Sequence, residues 1–193
     1  MRFQTVFVLP VILAAAACGS ASDDASQAAA TAESASPAAA QASPIAAPTR
    51  AVATLKTADG KEAGTVTLLP AGDAIRLAVQ VVDLPAGEHG IHVHSVGLCE
   101  GPKFESAGGH WNPGGKQHGL KNPAGSHAGD MPNLTVGEDG RGIASATLTG
   151  GTVADLLDTD GAALVVHAKA DDQTTDPSGD SGDRIACGVL SAG

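Results

Sequence analysis

Six of the seven histidines in this 193-residue chain stand at His92, His94, His110, His118, His127 and His167, and Asp130 lies among them. Together they offer six imidazoles and one carboxylate, enough nitrogen and oxygen donors for two adjacent transition-metal sites. The residues around them are mostly Gly, Pro, Asn and short apolar runs, so histidine is used here as a ligand. A fold that uses the whole set has to gather strand-like segments and a long glycine-rich loop around one place.

In Ile91-His92-Val93-His94 one residue separates the two histidines, so on a strand both rings point to one face while Ile91 and Val93 point to the other. The run Leu164-Val165-Val166-His167 supplies another strand-borne histidine. A lone strand histidine is more often a core or surface residue, and the case for His167 rests on the company it keeps. His110, His118, His127 and Asp130 follow at intervals of eight, nine and three residues on a glycine-rich loop. Three histidines and a carboxylate suit tetrahedral zinc, and a closed loop-borne set suits a structural role. The bland alternative is a polar loop with incidental histidines.

Short apolar or alternating runs mark eight candidate strands: Ala51 to Leu55, Thr65 to Leu69, Ile75 to Val82, Ile91 to His94, Asn133 to Val136, Gly142 to Leu148, Ala163 to Lys169 and Arg184 to Leu190. Gly- and Asp-containing turns separate them at Ala58-Asp59-Gly60, Pro85-Ala86-Gly87 and Glu138-Asp139-Gly140. The pattern predicts an all-β sandwich or flattened barrel, with Thr152 to Leu157 as the one helix-like segment. Two connections, Ser95 to Pro132 and Ala170 to Asp183, are too long for hairpins and are read as functional loops. The first is expected to be loose without metal and compact with it.

The chain opens Met1-Arg2, continues apolar from Val6 to Ala17 apart from Pro10, and reads over 1–17 as an export signal, too short for a spanning helix of ~20 residues. Cys18-Gly19-Ser20 resembles a bacterial lipoprotein cleavage site, which would lipidate Cys18; ordinary cleavage within the alanine run, leaving a soluble protein, is the rival. Residues 18–48 are nearly all Ala, Ser, Pro, Gln and small acidic residues, a flexible tether. Residues 49–193 then form one domain. A net charge of -10 argues against nucleic acid and against anionic headgroups, so any membrane attachment comes through the lipid on Cys18. Cys99 and Cys187 remain, and in an exported chain they most simply form one disulfide; two buried free thiols are the alternative.

The segments Gly90-Ile-His-Val-His94, Ser106-Ala-Gly-Gly-His-Trp-Asn-Pro113, His127-Ala-Gly-Asp130-Met-Pro-Asn133, Leu164-Val-Val-His-Ala-Lys-Ala-Asp-Asp172 and Gly182-Asp-Arg-Ile-Ala-Cys-Gly-Val189 together resemble the copper/zinc superoxide dismutase family, particularly its bacterial exported form. The resemblance runs in order from about 51 to 191. It implies an eight-stranded Greek-key β-barrel with two long functional loops. It implies copper on His92, His94, His110 and His167, and zinc on His110, His118, His127 and Asp130, with His110 bridging as an imidazolate. Asp171 would join a copper ligand to a zinc ligand by hydrogen bonds, and Arg184 would guide the superoxide anion, with His110 and Arg184 as the catalytic pair. Lys103 and Lys116 would assist steering or be solvated loop lysines. His89 is read as a structural histidine bonded to backbone, and Trp111 as packing under the loop.

The implied activity is dismutation of superoxide in the periplasm of a Gram-negative bacterium, by a protein lipid-anchored to the envelope or soluble there. Monomer and homodimer both stay open. A non-catalytic copper or zinc module would be expected to lack a copper ligand or the arginine, and this sequence lacks neither; an adhesive β-sandwich leaves the ligands unexplained.

Overall fold

The computed structural model describes residues 50–193, so the export signal over 1–17, the lipidation at Cys18 and the tether over 18–48 lie outside the described residues. Ten strands are present: β1 (Ala51–Thr57), β2 (Glu62–Ala71), β3 (Ala74–Val81), β4 (Gly87–His89), β5 (Ile91–His94), β6 (Leu134–Val136), β7 (Gly142–Thr149), β8 (Ala163–His167), β9 (Arg184–Val189) and β10 (Ser191–Ala192). The eight expected strands are all among them. The two further ones, β4 (Gly-Glu-His) and β10 (Ser-Ala), hold no large apolar residue from which an alternating pattern could be read. The helix-like segment is a single 3-10 turn, Asp155–Leu157, and a second such turn at Glu105–Ala107 had no sequence signal. β8 stops at His167 instead of Lys169, where its pairing with β9 shifts register.

Among the described residues the pairings between named strands are all antiparallel, in the order β4-β6-β7-β3-β2-β1-β9-β8-β5, with β10 paired to β1 off this path. The two ends of that order are one stretch of chain. β4 pairs with β6, β5 pairs with β8, and only Gly90 separates β4 from β5, so the sheet closes into a barrel. The chain leaves β3 for β4, past the positions of β7 and β6, and returns from β7 to β8, which gives the Greek-key crossovers.

Alternation decides what lies inside. On β3, Ile75, Leu77, Val79 and Val81 are buried while Arg76, Ala78 and Gln80 face solvent. β8 departs from this pattern because both its faces are covered. Leu164 and Val166 enter the main core, while Ala163 and Val165 join Phe104, Ala107 and Cys187 in a second apolar layer on the outside of the barrel. The Cys99–Cys187 disulfide fastens the start of the Ser95–Pro132 loop to β9 in this layer.

Candidate metal centre

Register places the strand histidines. Ile91 and Val93 oppose Val166 and Leu164 and are fully buried in the core, so His92 and His94, opposite Val165 and Ala163, point outward from the barrel. The free edge of β5 then takes up the long loop. Val93 N–H donates to Gly129 O at 3.0 Å, Trp111 N–H to Val93 O at 2.8 Å, and Ser95 N–H to Gly109 O at 2.9 Å. These bonds bring His110 against His94 and Asp130 against His92. Gly129 is required for this approach, because a Cβ there would stand 2.3 Å from Val93 O. Trp111 reaches past the loop into the main core, where it is nine-tenths buried.

Two donor clusters result, sharing His110. In the first, His92, His94, His110 and His167 converge, with donor atoms within 4.8 Å of one another. The four buried side-chain nitrogens or oxygens that lack a hydrogen-bond partner, among the described residues, are His92 Nδ1, His94 Nε2, His110 Nε2 and His167 Nε2. An unpaired buried polar atom is costly, and four from one cluster mark a site built for a ligand. The other nitrogen of each strand-borne ring is engaged. His92 Nε2 donates to Asp171 Oδ2 at 2.7 Å, His94 Nδ1 to Gly108 O at 2.9 Å, and His167 Nδ1 to Gly182 O at 3.2 Å. These bonds select the tautomer that leaves each opposite lone pair free.

In the second cluster, Asp130 Oδ1 lies 3.0 Å from His110 Nδ1, 3.0 Å from His118 Nδ1 and 3.3 Å from His127 Nδ1, and the His110 and His127 Nδ1 atoms are 3.3 Å apart. A tetrahedral ion with bonds of ~2.0 Å has ligand-to-ligand edges of roughly 3.3 Å, so the set is the right size for zinc. His92 also comes within reach of His110, His118 and Asp130. Its Nε2 is nevertheless taken by Asp171, and its free Nδ1 belongs with the first cluster. Asp171 ties the two clusters together, since its Oδ1 accepts from His118 Nε2 at 3.1 Å.

Burial and charge act in opposite directions on these rings. Burial above all holds His94 down to about 2, His110 to about 4 and His167 to about 3, so all three stay neutral and able to coordinate. Burial also works to lower His118, but hydrogen bonds to Asp130 and Asp171 outweigh it and raise the ring to about 9. Asp130 and Asp171 feel burial in the raising direction, and their histidine partners overcome it, leaving both carboxyls well below the usual range.

Arg184 is half-buried beside the first cluster and opposes His167 across β8 and β9. Its Nη1 donates to Phe104 O at 2.6 Å and its Nη2 to Gly108 O at 2.7 Å. It lines a cavity of about 490 Å³ with Pro102, Lys103, Glu105, Gly182 and Asp183. Lys103 therefore sits at the same mouth as Arg184, whereas Lys116 lies with His127 around a different recess, on the side of the second cluster. His89 is buried, with Nδ1 2.7 Å from His167 O and Nε2 2.9 Å from Pro85 O, bracing the backbone of β8.

Sequence reasoning missed the carbonyls of Gly108 and Gly182, because a backbone acceptor leaves no mark in side-chain identity. It also missed Asn133, which exchanges two bonds of 2.9 Å with the backbone of Asp171, and Asp176, whose Oδ1 accepts from His118 N–H at 2.6 Å. Nothing distinguishes Asp176 by composition from Asp172 or Asp180 in the same acidic loop.

A closed antiparallel barrel carrying two adjoining imidazole-rich clusters on its outer face defines a β-barrel metalloprotein with room for two ions. The sequence profile described as copper/zinc superoxide dismutase (SODC) matches residues 62–190. "Superoxide dismutase-like protein YojM" of Bacillus subtilis (strain 168) is 42% identical over 139 residues, 68% of this chain and 71% of that protein. "Superoxide dismutase [Cu-Zn]" of Caulobacter vibrioides is 41% identical over 148 residues, covering 72% of this chain and 84% of its own. The solved Cu/Zn superoxide dismutase from Brucella abortus superposes with a TM-score of 0.57 at 32% identity, covering 72% of this chain and 98% of that one. The chain belongs to the copper/zinc superoxide dismutase family, oxidoreductases whose cofactors are copper and zinc.

Proposed function

We propose that this protein dismutates superoxide, converting two superoxide anions and two protons into one oxygen and one hydrogen peroxide. His92, His94, His110 and His167 hold copper, and His110, His118, His127 and Asp130 hold zinc. Copper supplies the one-electron redox couple that both half-reactions need, and zinc supplies fixed positive charge beside His110. The observation that carries the reading is the convergence of four unpartnered buried ring nitrogens, three of them with the tautomer set by a bond on the far side of the ring.

His110 alone has one nitrogen in each cluster. Serving both ions at once requires the loss of both ring protons, which two flanking dications favour. Nε2 of His110, buried in the first cluster, would be the position at which the chain can hold and deliver a proton beside the substrate. Asp171 keeps His92 and His118 turned toward their clusters. Arg184 provides a fixed cation for an anion approaching a chain of net charge -10.

Export to the periplasm, with Cys18 lipidated, is part of the proposal. It is supported by the signal-like 1–17 segment and by a disulfide that suits an oxidising compartment. The activity test is a purified protein loaded with copper and zinc, compared with free copper at equal concentration. Dismutation above the free-copper rate is expected, and its absence overturns the reading. His92→Ala should abolish dismutation while zinc still binds. Mass spectrometry of the native N-terminus should find acylated Cys18; an unmodified N-terminus within the alanine run defeats the anchor.

A further inference from the structure

We infer that Asp176 is a positioning residue for the zinc cluster, a second carboxylate that holds His127 and His118 from the solvent side and slows the escape of zinc. The inference rests on the zinc assignment proposed above. Of the three rings in the zinc cluster, His127 has the most exposed side chain, 8% against 3% for His110 and 0% for His118, and it borders a small surface recess of about 100 Å³ with Lys116 and Ser126. Solvent therefore comes nearest the second cluster at this ring.

Asp176 stands on that side. Its Oδ1 accepts the backbone N–H of His118 at 2.6 Å and lies 3.8 Å from His127 Nε2, the ring nitrogen that faces away from Asp130 and His110. The two contacts do different things. The hydrogen bond fixes the backbone from which His118 projects. The charge opposes the partial positive charge that a coordinated ring develops at its outer N–H, as the carboxylates behind metal-bound histidines commonly do. His118 already has such a partner in Asp171. For His127 the described residues place Asp176 in that position and no nearer acid. The carboxylate is half exposed, so the coupling is weakened by solvent without being removed.

Asparagine and alanine at this position separate the two contacts. Asn keeps an acceptor oxygen for His118 N–H and loses the charge; Ala loses both. The full chain is stripped of metal, and zinc affinity and release rate are measured at pH 7 by competition with a chromogenic chelator. Asp172→Asn is the control for loop charge, because Asp172 is exposed and bonds only to its own loop at Thr174 and Thr175. Asp176→Asn should weaken zinc about 10-fold, at the lower end for partners of metal-bound histidines, and Asp176→Ala should weaken it further. Asp172→Asn should leave it unchanged within about twofold. Cobalt(II) placed in the cluster should show altered visible bands in Asp176→Asn, a change that a role in loop folding alone would not produce.

Wild-type affinity in both Asp176 variants overturns the inference. So does wild-type affinity in Asn with loss only in Ala, which would reduce Asp176 to a backbone clasp, and so does an equal loss in Asp172→Asn. Failure of the wild-type chain to bind zinc at this cluster would instead defeat the zinc assignment itself.

Discussion

Arg184 and His94 donate to the same carbonyl oxygen, that of Gly108, at 2.7 and 2.9 Å. The bond that fixes the tautomer of a copper-side ring and the bond that fixes the guanidinium therefore end on one atom, and that atom belongs to the loop that carries His110. The arginine proposed to guide the substrate and the first metal cluster are thus positioned by the same backbone. With its other arm on Phe104 O, the guanidinium spans two acceptors, which a lysine ammonium cannot reproduce. Arg184→Gln should lower kcat/KM of the metal-loaded enzyme by about 10-fold or more and remove most of its salt dependence. Arg184→Lys should fall between, keeping the salt dependence while losing rate. Stopped-flow dismutation at several ionic strengths checks this, and a salt response in Arg184→Gln equal to wild type would count against steering.

Gly179 tests the link between the clusters. A Cβ at this position would stand 1.7 Å from Asp171 Oδ1 and 2.8 Å from His118 Nε2, in a backbone with φ +63. Gly179→Ala must displace Asp171, and zinc affinity should drop on the order of 10- to 100-fold. Gly72→Ala is the control, with φ +65 and nothing within 4 Å of the added carbon. It should cost about 1–2 kcal/mol of stability and leave zinc affinity alone.

The fold was legible wherever a face was half buried. β3 announced itself by alternation of buried and exposed residues, and β5, buried on both faces, by alternation of apolar residue and histidine, which put both rings on its outer face. β4 was invisible because Gly87-Glu88-His89 holds no apolar residue, unlike the equally short β6, yet it is the strand that closes the barrel against β6. The ligand residue types were legible from their spacing and order. Their geometry was not, since it depends on the pairing of Val93 with Trp111 and Gly129, contacts between backbone atoms that any residue can make. For the same reason nothing in the sequence singled out Gly108 as the shared acceptor.

His89 contacts no cluster directly, but it spans from Pro85 O to His167 O in a buried position. His89→Phe keeps most of the volume and removes the ring N–H, which in a neutral imidazole donates to one of the two carbonyls, so the acceptor left unpaired costs about 1–3 kcal/mol. The urea midpoint should fall with the slope unchanged. An unaltered midpoint would show that water takes over the acceptor.

The disulfide closes a span of 88 residues between Cys99 and Cys187. In the chain-entropy account, Cys99→Ala/Cys187→Ala should lose roughly 4 kcal/mol, mostly through a freer unfolded state. Since Cys187 also packs in the layer under the long loop, the double variant should show faster amide exchange in residues 95–109 than at the core of β3. Uniform acceleration across both regions would place the effect in global stability alone.

The metal-free protein should be most stable near pH 7, because the histidines that burial keeps neutral outnumber His118, which pulls in the opposite direction. His94, His110 and His167 are held by burial at about 2, 4 and 3, below the 6.5 of an unfolded chain. As pH falls through 6.5 the unfolded state takes up protons that the folded state refuses, so stability declines with acidity until those lower values are reached. Asp130 and Asp171, depressed by their histidine partners, add to the acid loss once pH drops below about 4. His118 behaves conversely: its folded value of about 9 lies above 6.5, so its contribution is complete below 6.5 and disappears as pH rises from there to 9. Denaturation midpoints of the metal-free chain between pH 4 and 9.5 should therefore fall on both sides of a maximum. Zinc should flatten the alkaline side, because the bound ion requires His118 Nδ1 to be free of its proton in the folded state at every pH in that range. A metal-free midpoint that keeps rising from pH 6.5 to 9 would mean that His118 is neutral in the folded protein and donates to only one of Asp130 and Asp171.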